Sequence, residues 1–202
     1  MADVAIGMRP HTGWAVLVSV AVEDGEPVVV DRRRLELFAD DERFAYHAAA
    51  EVTPTFEEGV ALIDRVRKES HRAARAGVKE VVKAVGAAGH TAVAVGLPPA
   101  RTLPPVEKIL GSHPLLHTAE GELYREALAD GANRCHLRLS VAPVKDLLPH
   151  AAGVLGESVA SLTHLLAALG KSLGSPWTKD HREAALLAWL ALVGPTAASI
   201  ES

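Results

Sequence analysis

Four polar side chains recur at helical spacing in the segment SHPLLHTAEGELYREAL: His113, His117, Glu120 and Tyr124, at steps of 4, 3 and 4 residues. A continuous helix would line them along one face. Two imidazoles and a carboxylate in that arrangement suit a zinc or iron ion with an open coordination position, or acid–base work. The same stripe also reads as a polar helix face making hydrogen bonds at the edge of a core, because neither a His-Glu-x-x-His pattern nor a cysteine pair accompanies it. Pro114 favours the first helical turn, which suggests His113 as a cap with its ring outside the helix. A second acidic pair, Asp180 and Glu183, falls at positions two and five of a helix that Thr178 would cap. Acids in a first helical turn gain about 0.3–1 kcal/mol each from the dipole; the alternative reading is half of a metal site.

Two further patterns bear on partners. Arg65, Lys68, Arg72, Arg75, Lys79 and Lys83 make a basic ridge opposite a valine-rich stripe. Such a ridge can follow a phosphate backbone, although it is more commonly a solvated face, and Asp64, Glu69 and Glu80 dilute it. Arg32, Arg33 and Arg34 are consecutive in an extended segment, so alternation sends Arg33 to the opposite face from the other two and suits a charge-guarded edge strand. The lone Cys135, between Arg134 and His136, offers either a depressed thiol pKa or plain packing. Gly-rich phosphate loops and a Gly-x-Ser-x-Gly elbow are both missing from the sequence. A net charge of −4 argues against a strongly electrostatic nucleic-acid binder while leaving room for a local basic patch.

The elements that must position these residues read as α/β. With 202 residues, 49% hydrophobic and 23% charged, the chain suits one full domain, expected over 1–202. Residues 3–38 give three strands, with a turn at RPHTG and a tight hairpin at Asp24-Gly25. An acidic stretch, ADDERFAYHAAAEVTPT, reads as a connector with one helical turn. A long helix follows from a Thr55 cap to about Ala88, then a buried strand HTAVAVGLP, a proline-rich loop and a second helix ending near Gly131-Ala132-Asn133. HLRLSVAP makes a fifth strand, and three helical segments complete the chain, the last closed by Gly194-Pro195. This order implies a mixed five-stranded sheet, three antiparallel strands and then two reached through helical crossovers, with helices on both faces. Apolar runs are too short for a membrane span, since Glu23 and Asp24 end the longest near the N-terminus. Asp3 in place of a basic leader, together with the single cysteine, points to the cytoplasm.

That layout is the one found in the ribonuclease H-like superfamily, and local detail resembles its Holliday-junction resolvase branch. AIGMRPHTGWAV is similar to that branch's first hairpin through Gly7, Pro10, Thr12, Gly13 and Val16. VAPVKDLL is similar to its fifth strand through Pro143 and Lys145, and DHREAALLAWLAL to its final helix, where Asp180 and Glu183 stand three apart before an Ala/Leu run. YHAAAE, HTAEGELYREAL and the last helix also resemble segments that travel together in a set of bacterial proteins, a likeness that implies no activity. Nucleases of this branch use three or four carboxylates to hold two divalent metals roughly 4 Å apart. The resemblance implies that the first-strand acid position is Arg9 here (Met8 if the register slips), and that the fourth-strand position is Gly96 or Leu97. A guanidinium beside Asp180 and Glu183 would pair with them and repel Mg²⁺.

Arg9, His11, Asp180 and Glu183 therefore form the first candidate site, and the His113 cluster the second. The expected function is binding of nucleic acid or of a protein partner by a resolvase-like domain lacking the standard nuclease site, with no cofactor. The alternative is an atypical metal-dependent hydrolase using His113, His117, Glu120, Asp180 and Glu183, in which Mg²⁺, Mn²⁺ or Zn²⁺ would enter. A third reading is a structural homodimer, with AALLAWLALVG as an apolar patch for self-association.

Overall fold

The computed structural model describes residues 1–194. Strands β1 (Asp3–His11), β2 (Trp14–Glu23) and β3 (Glu26–Glu36) form an antiparallel meander, and β4 (Thr91–Leu97) and β5 (Arg138–Val141) add in parallel to β1. The sheet order is β3-β2-β1-β4-β5, as the ribonuclease H-like layout requires. Asp24 and Gly25 both take positive φ, +50° and +86°, which is the backbone a two-residue hairpin demands. Helices α1 (Ala45–Glu51), α2 (Phe56–Ala87), α3 (Val106–Leu110) and α4 (His113–Arg134) contribute to the core on one face. Helices α5 (Leu147–Leu155), α6 (Val159–Leu173) and α7 (Lys179–Val193) contribute to the core on the other.

Strand alternation divides β1 between these two cores. Val4, Ile6 and Met8 face α2 and α4, while Ala5, Gly7 and Arg9 share the α7 face. Gly7 pairs in register with Gly96 of β4. A Cβ on Gly7 would overlap the Ala184 carbonyl oxygen and lie 2.7 Å from the Ala188 nitrogen. One on Gly96 would overlap the Leu187 carbonyl oxygen. The backbone of α7 thus rests directly on two adjacent glycines, at a distance no side chain would permit.

Several expectations change. The acidic stretch is more ordered than a connector: a 3₁₀ turn at Asp41–Arg43 leads into α1, whose Ala45, Tyr46 and Ala49 are buried in the first core. The proline-rich loop is followed by α3, whose buried Ile109 turns it toward the core. Within AALLAWLALVG, Ala184 to Ala191 are all buried under the sheet and neighbouring helices, and the apolar side chains that reach the surface are Leu192, half-buried, and Val193. Pro195 lies outside the described residues. Among those described, no single helix is long and apolar enough to cross a membrane; α5 and α6 pass such a test only as a pair, bent by 103°.

Gly7→Ala should therefore destabilise the fold by at least about 3 kcal/mol, since overpacking here meets backbone instead of a movable side chain. Gly153→Ala, inside α5 with nothing within 4 Å of the added carbon, should gain about 0.5–1 kcal/mol from helix propensity. Denaturant melts of the two variants check both signs.

Candidate functional site: a basic cleft at the ends of the parallel strands

Because β1, β4 and β5 are parallel, their C-terminal ends open at one edge of the sheet, where open α/β sheets usually place ligands. A cleft of about 630 Å³ lies there. Arg9 and Pro10 enter it from β1, Pro98 and Pro99 follow β4, and Pro143 to Lys145 follow β5. The far wall is α4, through His117, Thr118, Gly121, Glu122 and Arg125. Pro10 in β1 and three loop prolines, Pro98, Pro99 and Pro143, fix φ around the cleft, which limits what ordering a ligand would impose. Arg125 donates from Nε to the Pro98 carbonyl at 2.8 Å, and the Arg101 backbone N–H donates to Glu122 at 3.1 Å, so α4 holds the post-β4 loop. Among the described residues, the side chains of Arg101 and Lys145 have no acidic partner.

Helix α7 runs antiparallel to β1, which places its first turn over the end of the strand. Arg9 Nε stands 2.6 Å from Glu183 Oε2, with the two side chains only 18% and 13% exposed. The contact is an ion pair through one nitrogen without aligned hydrogen-bond geometry, so the guanidinium does not engage the carboxylate as a two-pronged fork. Lys179 Nζ approaches the other oxygen of Glu183 at 3.6 Å. Asp180 is matched differently: its Oδ1 lies 3.2 Å from His11 Nε2. His11 stacks on Trp14 at 4.1 Å between centroids, and the Arg34 guanidinium sits 3.9 Å from the same indole. The structure thus brings Arg9, His11, Asp180 and Glu183 together as two separate pairs.

Further arginines fasten the helices around the site. Arg32 donates to the carbonyls of Leu173, Gly174 and Pro176 at 2.8, 2.8 and 2.6 Å, binding the C-terminal end of α6 to β3. Arg32 is thus a fastener of the α6 end and not merely a guard on the β3 edge. Arg138 donates to the Ala191 carbonyl at 2.7 Å, near the end of α7. At the other end of α7, the Thr178 backbone N–H donates to His181 Nδ1 at 3.3 Å, and burial followed by the charge of Arg32 lowers the His181 pKa.

The second cluster also assembles, with a member that sequence spacing cannot show. His113 and His117 both lie on α4, which begins at His113, so that ring is not a cap outside the helix. Their Nε2 atoms are 3.2 Å apart. His47 of α1 joins them, and donor nitrogens of the three rings fall within 4.8 Å of one another. Glu120 lies behind this group: it is 2% exposed, and its Oε1 is 2.9 Å from His47 Nδ1. Tyr124 donates its hydroxyl to the Arg43 carbonyl at 2.6 Å, and burial drives its pKa well upward, which makes it a structural strut. On the ridge of α2, all six cations are exposed; Arg65 is paired with Glu42 and Arg75 with Asp130. None of the six lines the cleft. Burial raises the Cys135 pKa, so its thiol is not activated.

The mixed five-stranded sheet, in the order β3-β2-β1-β4-β5 with helices on both faces, is a ribonuclease H-like fold. Its similarity to solved structures agrees: the Thermus thermophilus RuvC structure aligns with a TM-score of 0.55 at 13% identity, covering 92% of this chain and 90% of that one. T. thermophilus RuvC in complex with Holliday junction substrate aligns with a TM-score of 0.54 at 13% identity, over the same shares. No family model and no curated protein matches the sequence.

Two outcomes follow from the α7 contacts. Arg9→Ala should cost about 1–3 kcal/mol, since it leaves a mostly buried carboxylate facing only Lys179. His181 accepts a backbone bond when neutral, and its lowered pKa makes that contribution complete above the unfolded value of 6.5. It is then lost as pH falls from there through the folded value, because the unfolded chain binds the proton more readily. Melting temperature should therefore drop on acidification below about pH 6.5, and His181→Gln should flatten that part of the profile.

Proposed function

We propose that this chain is a ribonuclease H-like nucleic-acid-binding protein that does not use two-metal nuclease chemistry. The observation that carries the reading is the Arg9–Glu183 ion pair, whose arginine lines a cleft together with Arg101, Arg125 and Lys145. The donor set does not fit two divalent cations: Glu183 already faces Arg9 and Lys179, Asp180 faces His11, and Gly96 brings no ligand from β4. A guanidinium in contact with the carboxylate supplies the positive charge that a metal would otherwise bring, and it repels a second cation. Phosphate is a better match, because Arg101 and Lys145 have no acidic partner among the described residues and the cleft walls are already in place. Local charge decides this in spite of the net −4 of the whole chain.

A second reading, an atypical metal-dependent hydrolase, draws on one observation: His117 belongs both to the histidine cluster and to the cleft wall. It would require turnover that disappears in His117→Ala.

Fluorescence anisotropy with a labelled four-way DNA junction tests the leading proposal. Binding should weaken with salt, and Arg101→Ala or Lys145→Ala should each lower the magnitude of the log–log salt slope by about 1. Gel assays in Mg²⁺ should show no cleavage by the wild type. Arg9→Asp, which places three carboxylates together, should become measurably more stable on adding Mg²⁺, whereas the wild type should not. A salt-independent or undetectable interaction, or Mg²⁺-dependent cleavage lost in Asp180→Asn, would overturn the proposal.

A further inference from the structure

We infer that His47, His113 and His117 form a site for a single borderline divalent cation of the zinc class, with Glu120 as the buried carboxylate that orients His47. Three observations carry this independently of any nucleic-acid binding. The first is distance. Zinc–imidazole bonds of about 2.0–2.1 Å in a tetrahedron place neighbouring nitrogens about 3.3 Å apart. The Nε2 atoms of His113 and His117 stand at 3.2 Å, and donor nitrogens of all three rings lie within 4.8 Å. Small side-chain rotations of two exposed histidines on α4 would bring the third into bonding distance.

The second is orientation. The ring planes are crossed at 84°, 55° and 84° with centroids 4.5–5.3 Å apart, so the rings converge without stacking face to face, and the Nε2 edges of His113 and His117 meet. The third is the carboxylate. Glu120 is 2% exposed, its Oε1 accepts the His47 backbone N–H at 3.3 Å, and the same oxygen lies 2.9 Å from Nδ1 of that ring. A carboxylate beside Nδ1 places the carboxylate–histidine contact on one ring nitrogen and leaves Nε2 to face a cation, the usual support for a metal-bound imidazole. Glu120 thereby has the role of a positioning residue, and His47, on another helix, takes the ligand place that spacing along α4 alone would give to the glutamate.

Three imidazoles leave a fourth coordination position open, and His117 also lines the cleft, so the cation would sit at its wall. Imidazole-only donors favour Zn²⁺, Co²⁺, Ni²⁺ or Cu²⁺ over Mg²⁺, which separates this site from the oxygen-rich centres of two-metal nucleases.

The test uses the untagged full chain, stripped with EDTA and titrated with Zn²⁺ in competition with a colorimetric chelator, and separately with Co²⁺ followed by its visible spectrum. One equivalent of Zn²⁺ should bind, with Co²⁺ giving the intense bands of a four-coordinate site. His117→Ala and His113→Ala, both at exposed positions, should each abolish stoichiometric binding. Glu120→Gln should weaken it roughly 10–100-fold, with circular dichroism confirming the fold. If that variant unfolds, the two histidine variants decide alone. Cys135→Ser and Glu183→Gln should leave the affinity unchanged. Wild-type Zn²⁺ binding weaker than about 100 μM, or binding that survives His113→Ala and His117→Ala, would overturn the inference.

Discussion

The backbone of α7 lies against two glycines, Gly7 and Gly96, paired on the adjacent central strands, and this close approach sets the position of almost everything else. Because no Cβ intervenes, the helix sits lower on the sheet than side-chain packing would allow. That height brings the first turn of α7 level with the end of β1. Arg9 and His11, two residues apart on one face of the strand, then meet Glu183 and Asp180 one turn apart on the helix. A bulkier residue at either glycine would lift the helix and separate both pairs.

Having been brought that close, the charges have little freedom. Glu183 is mostly buried, and an unpaired carboxylate there would cost far more than an exposed one. Arg9 and Lys179 bring opposite charge to its two oxygens. The remaining ends of the helical layer are tied down by arginines acting on carbonyls: Arg32 on the end of α6 and the residues that follow it, and Arg138 on α7. Guanidinium groups suit this work because one planar fork reaches several acceptors at once. Arg32 and Arg138 are thus consumed in holding helices, while the cleft keeps Arg101 and Lys145.

On the other face of the sheet, α1 and α4 meet along a polar seam instead of a fully apolar one. Glu120 and Tyr124 are buried in it and are satisfied by the His47 backbone N–H and the Arg43 carbonyl. Burying such groups is tolerable only with partners. The rings of His47, His113 and His117 then converge where the seam opens to solvent, beside the cleft.

Sequence alone determined the sheet and most of the helices, because alternation in β1 and β2, the Asp24-Gly25 turn, the Thr55 cap and the 3.6-residue stripe of α2 are local patterns that tertiary contacts reinforced. The pairing of α7's acids with the end of β1 was also legible, through the resemblance of the first hairpin and last helix to a known layout. Tertiary structure decided what depends on separate segments meeting. His47 sits 73 residues from Glu120 in a stretch that reads as a connector, and no periodicity links it to α4. That Asp180 would go to His11 and not to Arg9 depended on the pitch of α7 against β1 and on the stacking of His11 with Trp14. The Ala/Leu run of α7 carries the same composition whether exposed or buried; only the two glycines beneath it, by admitting the helix to the sheet, made it core.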